Sequence, residues 1–277
     1  PTGAVGRTLQ LARGGRPTYA VSYKSEPVVL CSALGVSLKD KTALVNHFEV
    51  TGTTTHAVNE TWKPVLGEQA QIVNHYNELI VALVQKDSKV KLNLVFRAFD
   101  EGVAFRYDFP KQENLNYFII SDEKTEFNLT ENNKVLWIPG DFDSNEYLYN
   151  ETKFSEIDNE KLNLNNGIGV KSIPGKYTVQ TPLQMKSPSG LYLNIFEAAV
   201  VNYPVMHLDA NVQKYTLKAN LVPNAIGDKA YLQAPCVSPW RTIMVSDDAR
   251  KIVSSKMILN LNEPSKIEDT SWIKPMK

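Results

Sequence analysis

The sequence has 277 residues, 30 acidic and 30 basic side chains, and no formal net charge. This balance argues against a nucleic-acid-binding surface, because such proteins usually cluster an excess of lysine and arginine. With 43% hydrophobic residues the chain can bury a substantial core, and no apolar run reaches the ~18–20 residues of a membrane-spanning helix, so we expect a folded chain with no membrane span.

Two-residue alternation of apolar and polar side chains, punctuated by turns, dominates the chain and predicts an all-β fold. An early strand carries Tyr19, Val21 and Tyr23 on one face and ends at a turn over residues 24–27. The clearest unit is a hairpin, in which alternating strands before and after the turn 100–102 face each other. Further strands are predicted at residues 79–83, 191–195, 215–221, 242–245 and 257–261.

A polar stretch over residues 145–176 separates the two halves of this pattern. We interpret it as a long surface excursion within a sandwich, with a linker between two domains as the alternative. So many strands in a chain of this length imply two large packed sheets. We therefore predict a single β-sandwich domain over residues 1–277.

Motifs that carry catalysis are absent from the sequence. It contains no GxSxG nucleophile elbow, no GxGxxG after a strand, no Walker A loop and no HExxH pair. Cys31 and Cys236 lack metal-type neighbours, which excludes a zinc cluster, and the apolar run around Cys31 predicts a small core residue. The first ten residues contain no apolar signal-peptide segment, as in a chain that has already been processed.

One carboxylate stands out on physical grounds. Leu193 and Ile195 share one face of a predicted strand, and Glu197 continues the same parity. If the strand persists, Glu197 faces the core, where an isolated carboxylate is costly unless it is paired, protonated or bound to a metal. Three interpretations remain open: a strand that ends at Ile195 and leaves Glu197 solvated, a salt bridge to an arginine, or a metal ligand.

Other polar and aromatic residues have both a structural and a functional interpretation. His75, in a polar cluster before an apolar strand, indicates either a hydrogen-bonded turn or a site loop. Trp240 could stack on Arg241. A sugar-stacking platform is the functional alternative to core packing for the remaining tryptophans, which are Trp62, Trp137 and Trp272.

Seven short segments, in order and at similar spacing, resemble the amino-terminal region of glycoside hydrolase family 97. They are residues 62–68 (WKPVLGE), 74–79 (NHYNEL), 96–107 (FRAFDEGVAFRY), 181–183 (TPL), 197–199 (EAA), 238–241 (SPWR) and 269–275 (DTSWIKP). The resemblance runs from about residue 17 to the end of the chain. Phe196 departs from it, because the family usually has His before this Glu, and Met276 stands where the family usually has Gly.

The resemblance implies a β-super-sandwich similar to galactose mutarotase, followed in the whole enzyme by a catalytic (β/α)8 barrel. It further implies an α-glucosidase or α-galactosidase of the bacterial periplasm or outer envelope, with the signal peptide removed. The catalytic carboxylates would belong to the barrel, so this chain would contain no catalytic residue of its own. Its partners would be that barrel and an α-linked oligosaccharide.

The resemblance also implies an active-site calcium ion, held mostly by barrel carboxylates. By the Glu-Ala-Ala match, Glu197 would be the ligand that the sandwich adds. Ca²⁺ takes six to eight oxygen ligands from separate segments, and its charge would keep an inward carboxylate ionised. An internal ion pair of Glu197, or a position far from the surface where the carboxy terminus leaves, would argue against this role.

Two further functions stay open beside the accessory domain of an α-glycosidase. The chain could be a stand-alone carbohydrate-binding module that holds sugar without cleaving it. It could also be a mutarotase-like epimerase, which would need a Glu base and a His acid in the groove of the sandwich.

Overall fold

The structure is a computed structural model that describes residues 5–162 and 172–274. Its regular structure is mostly antiparallel β-sheet, which confirms the predicted fold class. The strands of the described residues are β1 Val5–Ala12, β2 Arg16–Tyr23, β3 Glu26–Ala33, β4 Val36–Leu38, β5 Phe48–Trp62, β6 Ile72–Gln85, β7 Lys91–Ala98, β8 Gly102–Phe109, β9 Tyr117–Glu123, β10 Glu126–Leu129, β11 Lys134–Trp137, β12 Asn150–Lys153, β13 Thr178–Val179, β14 Leu183–Lys186, β15 Tyr192–Ala198, β16 Met206–Asn211, β17 Thr216–Leu221, β18 Ala230–Gln233, β19 Cys236–Val237 and β20 Trp240–Ser246.

Helical structure is confined to short segments. Single 3₁₀ turns lie at Phe154–Glu156 and Asn159–Lys161, and two short helices follow the last strand, α1 at Ala249–Ser254 and α2 at Met257–Asn260. None of the helices in the described part of the chain has the length and apolar character needed to cross a membrane.

The strands form three sheets. A seven-stranded sheet has the order β1-β2-β3-β10-β17-β16-β13, and a ten-stranded sheet has the order β12-β11-β14-β15-β20-β8-β7-β6-β5, with β19 paired to β8. A small third sheet has the order β18-β9-β4. Many neighbours in these orders are distant in the chain, so the sheets assemble through long-range pairing.

The inner faces of the two large sheets pack on each other and form the main core. Tyr19 on β2 and Phe127 on β10 meet Phe96 and Phe105 on β7 and β8. The ring centroids of Tyr19 and Phe105 lie 4.8 Å apart, in a tilted arrangement that suits aromatic pairs. These contacts join the two sheets into the predicted β-sandwich.

The alternation pattern located most strands correctly. Tyr19, Val21 and Tyr23 all face the core, and the chain then turns at Lys24 and Ser25, both with positive φ. The predicted hairpin is β7 and β8, closed by the pair Ala98 and Val103.

The strand predicted at residues 257–261 is wrong, because this segment forms helix α2. Met257 and Leu261 are buried, whereas Leu259 is exposed. Positions four apart face the same side of a helix, so this burial follows a helical period. A short apolar run does not distinguish a strand from a helix by periodicity.

The prediction of Cys31 as a core residue is also wrong. The pairing of β2 with β3 shifts register between Tyr19 and Ser22, which is typical of a β-bulge. Val28 and Val29 both turn inward as a result, and Leu30 and Cys31 are both exposed. Both cysteines are free.

The polar stretch 145–176 is tied to the sandwich where the structure describes it. Its strand β12 pairs with β11, and Phe154 and Ile157 are buried in the main core. Residues 163–171, and Pro275 and Met276 of the closing segment, lie outside the described residues. The single-domain assignment of residues 1–277 stays a prediction.

Candidate site: a buried ion cluster beside a polar cavity

Glu197 faces the interior of the sandwich. Strand β15 continues past Ile195 to Ala198, and Glu197 lies directly opposite Arg241 of β20. The side chain is buried, so the interpretation of a strand end with a solvated Glu197 is wrong. The inward direction that parity gives for a continuous strand therefore applies, because the strand persists through Glu197.

A salt bridge to an arginine is the interpretation that the structure bears out. The Nη1 group of Arg241 donates to Oε2 of Glu197 at 2.5 Å, and the backbone N–H of Met206 donates to Oε1 at 3.0 Å. Both carboxylate oxygens therefore already accept a hydrogen bond from within the chain.

Arg241 binds a second carboxylate, Glu123 at the end of β9. Its Nε and Nη2 groups donate to the two oxygens of Glu123 at 2.8 Å and 2.7 Å, a bidentate arrangement. The hydroxyls of Thr125 and Tyr203 also donate to Glu123, at 2.8 Å and 3.0 Å. We call Glu123, Arg241 and Glu197 the ion cluster.

Two carboxylates share one guanidinium, so the ion cluster carries one excess negative charge when both are ionised. Burial by itself raises the pKa of Glu123, but the Arg241 charge and the four hydrogen bonds hold it below its ordinary value. Burial raises the pKa of Glu197, and Arg241 and the Met206 N–H oppose this rise only in part. Most of the donors that stabilise a negative charge in the ion cluster therefore contact Glu123. The negative charge that Arg241 does not balance is assigned to Glu197.

A polar cavity of about 650 Å³ opens beside Glu197. It lies between the end of β15, the start of β16 and the segment that follows β11. Among its lining residues are Asp141, Gln180, Glu197, Met206 and His207. We call it the Glu197 cavity.

Asp141 anchors one side of the cavity. Burial by itself raises the pKa of this carboxyl, but hydrogen bonds from the Tyr147 hydroxyl and from the N–H groups of Asp143 and Ser172 hold it below its ordinary value. Asp141 is thus an ionised carboxylate at the cavity, fixed by neighbouring donors, and Asp143 and Glu146 also line the cavity.

His207 is held next to Asp141 in a single tautomer. Its Nε2 atom lies 2.9 Å from the carbonyl oxygen of Asp141, which can only accept, so Nε2 carries the proton. Burial lowers the pKa of His207, and the Phe142 ring stacks on the imidazole at 5.7 Å. A neutral His207 therefore leaves Nδ1 as its acceptor.

The donor set of the chain does not by itself make a calcium site. Within residues 5–162 and 172–274, no group of three or more His, Cys, Asp or Glu side chains could hold a metal ion. Glu197 is in an internal ion pair, and it faces away from α2, which packs on neighbouring Ala198 from the other side of β15. Both observations count against a metal role within this chain, and the carboxylates that line the cavity are not grouped into the set of oxygen ligands that Ca²⁺ requires.

Trp240 and Arg241 do not stack, because adjacent residues of β20 point to opposite faces of the sheet. Two other guanidinium groups flank the Trp240 ring, Arg97 at 4.7 Å and Arg106 at 4.3 Å from its centroid. Arg241 instead lies over the Tyr203 ring at 5.6 Å.

The remaining predicted site residues do not come together. His75 lies within β6, rather than in a turn before it, and lines a separate cavity beside α1. Trp137 is buried, Trp272 is exposed, and the Trp62 ring donates to the Asn260 side chain. The tryptophans therefore form no shared platform, and core packing holds for Trp137 and Trp240.

Sequence reasoning missed three residues of the site. Asp141 lies outside any strand, and His207 lies between buried Met206 and Leu208, which is a weak signal that the alternation does not explain. Glu123 follows a register shift in the pairing of β9 with β4, so simple alternation from Phe118 assigns it to the wrong face.

The fold and the site define a class: a large two-sheet β-sandwich domain with a buried ion cluster at the wall of a polar cavity. Residues 1–264 match the family model described as Glycosyl-hydrolase 97 N-terminal. The chain belongs to glycoside hydrolase family 97 and corresponds to its amino-terminal domain. The resemblance predicted from the seven segments is confirmed.

This chain spans about two fifths of the length of three similar proteins. A retaining alpha-galactosidase of Bacteroides thetaiotaomicron is 23% identical over all of this chain and 42% of its own length. A probable retaining alpha-galactosidase of Streptomyces bingchenggensis is 25% identical over 99% of this chain and 37% of its own. A solved family 97 enzyme of Pseudoalteromonas sp. strain K8, in complex with acarbose, is 32% identical with a TM-score of 0.86, over 99% of this chain and 39% of its own.

Proposed function

We propose that this chain is the amino-terminal domain of a family 97 α-glycosidase, either an α-galactosidase or an α-glucosidase. In this proposal the Glu197 cavity faces the catalytic (β/α)8 barrel and forms part of the wall of its active site. The observation that carries the proposal is a pair of buried carboxylates that share one guanidinium at the wall of a polar cavity. The relatives support it, because they are glycosidases of which this chain spans only about two fifths.

The residues of this chain would position groups rather than cleave bonds. Arg241, held by Glu123, fixes the orientation of Glu197, and the carbonyl of Asp141 fixes the tautomer of His207. Rigid polar side chains at a cavity suit recognition of the hydroxyl groups of an α-linked oligosaccharide. The acid, base or nucleophile would come from the barrel.

We further propose that Glu197 contributes one carboxylate oxygen to a calcium ion whose other ligands belong to the catalytic domain. The family resemblance and the excess negative charge of the ion cluster support this, whereas the ion pair with Arg241 counts against it. Each carboxylate oxygen has a second lone pair, so one hydrogen bond leaves capacity for a cation. Bound there, Ca²⁺ would supply a fixed positive charge at the cavity.

The activity is tested on the full-length enzyme with aryl α-galactosides and aryl α-glucosides. Hydrolysis of either substrate supports the proposal, and the absence of both activities would contradict it. We also propose the periplasmic or outer-envelope location that the family resemblance implies, and fractionation of the source cells tests it.

Two variants distinguish a calcium ligand from a purely structural carboxylate. Glu197→Gln and Glu123→Gln each remove one carboxylate from Arg241, but only Glu197 lines the cavity. After treatment with a chelator, we expect the calcium concentration that restores half the activity to rise for Glu197→Gln and to stay unchanged for Glu123→Gln. An equal response of both variants would assign Glu197 to structure alone.

No observation favours the epimerase alternative. Glu197 and His207 both line the cavity, but Glu197 is held by Arg241 and the Nε2 proton of His207 is held by a carbonyl. Glu197 is therefore not a free base, and His207 is not a free acid.

A further inference from the structure

A second candidate surface lies on the three-stranded sheet, outside the Glu197 cavity. Tyr117 on β9 and Tyr231 on β18 are exposed over 67% and 57% of their surface. Tyr117 pairs with Gln233, and Tyr231 pairs with Ile119, so all four side chains stand on one face. Diagonal neighbours on adjacent strands lie within reach of aromatic side chains, so the two rings form one surface.

The ring of Tyr231 is fixed in place. Its hydroxyl donates to Asp228 at 2.6 Å, and the same buried carboxylate accepts two hydrogen bonds from the Lys39 ammonium, at 2.9 and 3.0 Å. An exposed aromatic ring that is oriented by a buried carboxylate pays little conformational entropy when a ligand stacks on it. Tyr231 therefore differs from an isolated exposed apolar side chain, because hydrogen bonds fix the orientation of its ring.

Polar groups surround the two rings. A cavity of about 500 Å³ lies beside both rings, and Asp40, Lys41 and Gln233 are among the residues that line it. These side chains offer both hydrogen-bond donors and acceptors. A volume of this size lies within the range of small-molecule sites.

We infer that this surface, the Tyr117–Tyr231 face, is a second binding site for α-linked oligosaccharide or polysaccharide. Aromatic rings stack on the apolar faces of sugar rings, and the amide, ammonium and carboxylate groups of the lining residues would bond the hydroxyls. The inference rests on the proposed function for the identity of the sugar.

A protein partner fits this face less well. Stable protein interfaces need about 20–30 residues on each side and an apolar centre, whereas the apolar part of this face consists of two tyrosines and the partly buried Ile119. The face would hold polymeric substrate near the enzyme without taking part in the reaction.

The test is affinity electrophoresis of the full-length enzyme in gels that contain soluble starch or guar galactomannan. We expect retardation in one of the two gels, and binding about tenfold weaker or more in the double variant Tyr117→Ala, Tyr231→Ala. Tyr117→Phe keeps the ring and should keep the retardation. Tyr177→Ala, at an exposed tyrosine outside the three-stranded sheet, is the matched control.

Two results would overturn the site. One is a wild-type enzyme that neither polysaccharide retards, and the other is a double variant that is retarded as strongly as the wild type. Concentration-dependent self-association that the double variant abolishes would instead assign the face to a second copy.

Hydrolysis is scored separately, with aryl α-glycosides that are too small to reach both sites. We expect the double variant to retain wild-type activity on them. An enzyme inactive on both aryl substrates but retarded through the two tyrosines would refute the proposed function and leave this binding site in place.

Discussion

Arg241 donates two parallel hydrogen bonds to Glu123, from Nε at 2.8 Å and from Nη2 at 2.7 Å, although the two residues lie 118 positions apart in the chain. The remaining Nη1 group reaches Glu197 on the neighbouring strand. One guanidinium thus connects the three-stranded sheet to the ten-stranded sheet. The two carboxylates are unequal, because only Glu123 receives the bidentate contact and two hydroxyl donors.

This inequality predicts different costs for removing each carboxylate. We expect Glu123→Gln to lower the free energy of unfolding by about 3–5 kcal/mol, because it breaks a fully buried bidentate pair. Glu197→Gln should cost less, since Arg241 keeps Glu123. Urea unfolding followed by the fluorescence of buried Trp137 and Trp240 measures both. The exposed control Glu113→Gln should change stability by less than about 0.5 kcal/mol.

The two carboxylates also predict opposite dependences of stability on pH. The pKa of Glu197 is raised by burial, so its contribution is present below its unfolded value near 4.5 and is lost as pH rises through the raised pKa. The pKa of Glu123 is lowered by Arg241 and its hydroxyl donors against the effect of burial, so its contribution is present above 4.5 and is lost on acidification.

From about pH 4 to pH 7, the free energy of unfolding of Glu197→Gln should therefore rise relative to wild type. That of Glu123→Gln should fall relative to wild type from acid to neutral pH. Urea unfolding at several pH values measures both differences. Slopes of the same sign for the two variants would contradict the assignment of the excess charge to Glu197.

Arg97 and Arg106 both flank Trp240, but their positive charges are balanced to different extents by neighbouring carboxylates. Arg97 pairs with Glu78 at 2.8 Å, whereas among residues 5–162 and 172–274 Arg106 reaches only the exposed Glu263, at 3.8 Å, and its buried Nε has no hydrogen-bond partner. Burial and the Arg97 charge lower the pKa of Arg106.

We therefore expect Arg106→Met to be neutral or stabilising, because an apolar side chain replaces a poorly compensated buried charge. Arg97→Met should destabilise the fold by about 2–3 kcal/mol, because it leaves Glu78 partly buried without its partner. Urea unfolding of the two variants decides the order. A larger loss for Arg106→Met would show that its stacking on Trp240 outweighs its charge.

The burial pattern of helix α2 predicts that two of its apolar residues contribute unequally to stability. Met257 is fully buried against the outer face of the ten-stranded sheet, whereas Leu259 is 47% exposed. Met257→Ala should cost about 2–5 kcal/mol, and Leu259→Ala well under that. Thermal unfolding followed by circular dichroism measures the difference. Equal losses would contradict the helical burial of this segment.

Much of the fold was predictable because alternation reports which face of a strand meets the core. The directions of Tyr19 and Val81 follow from parity within their own strands, and that of Glu197 follows once its strand is known to continue past Ile195. The prediction failed at Cys31, where a shift in pairing register turns two consecutive residues to the same face. It failed again at α2, because three consecutive apolar residues are compatible with either period.

The sequence by itself determined an all-β chain and its membership of family 97, since these depend on local order along the chain, and it left an inward Glu197 as one of the open interpretations. Only the tertiary structure decided what that carboxylate meets. Glu123 and Arg241 reach it through strand pairings between distant segments, and a β-bulge turns Glu123 inward. Contacts of that kind depend on register between strands, which alternation within each strand does not specify.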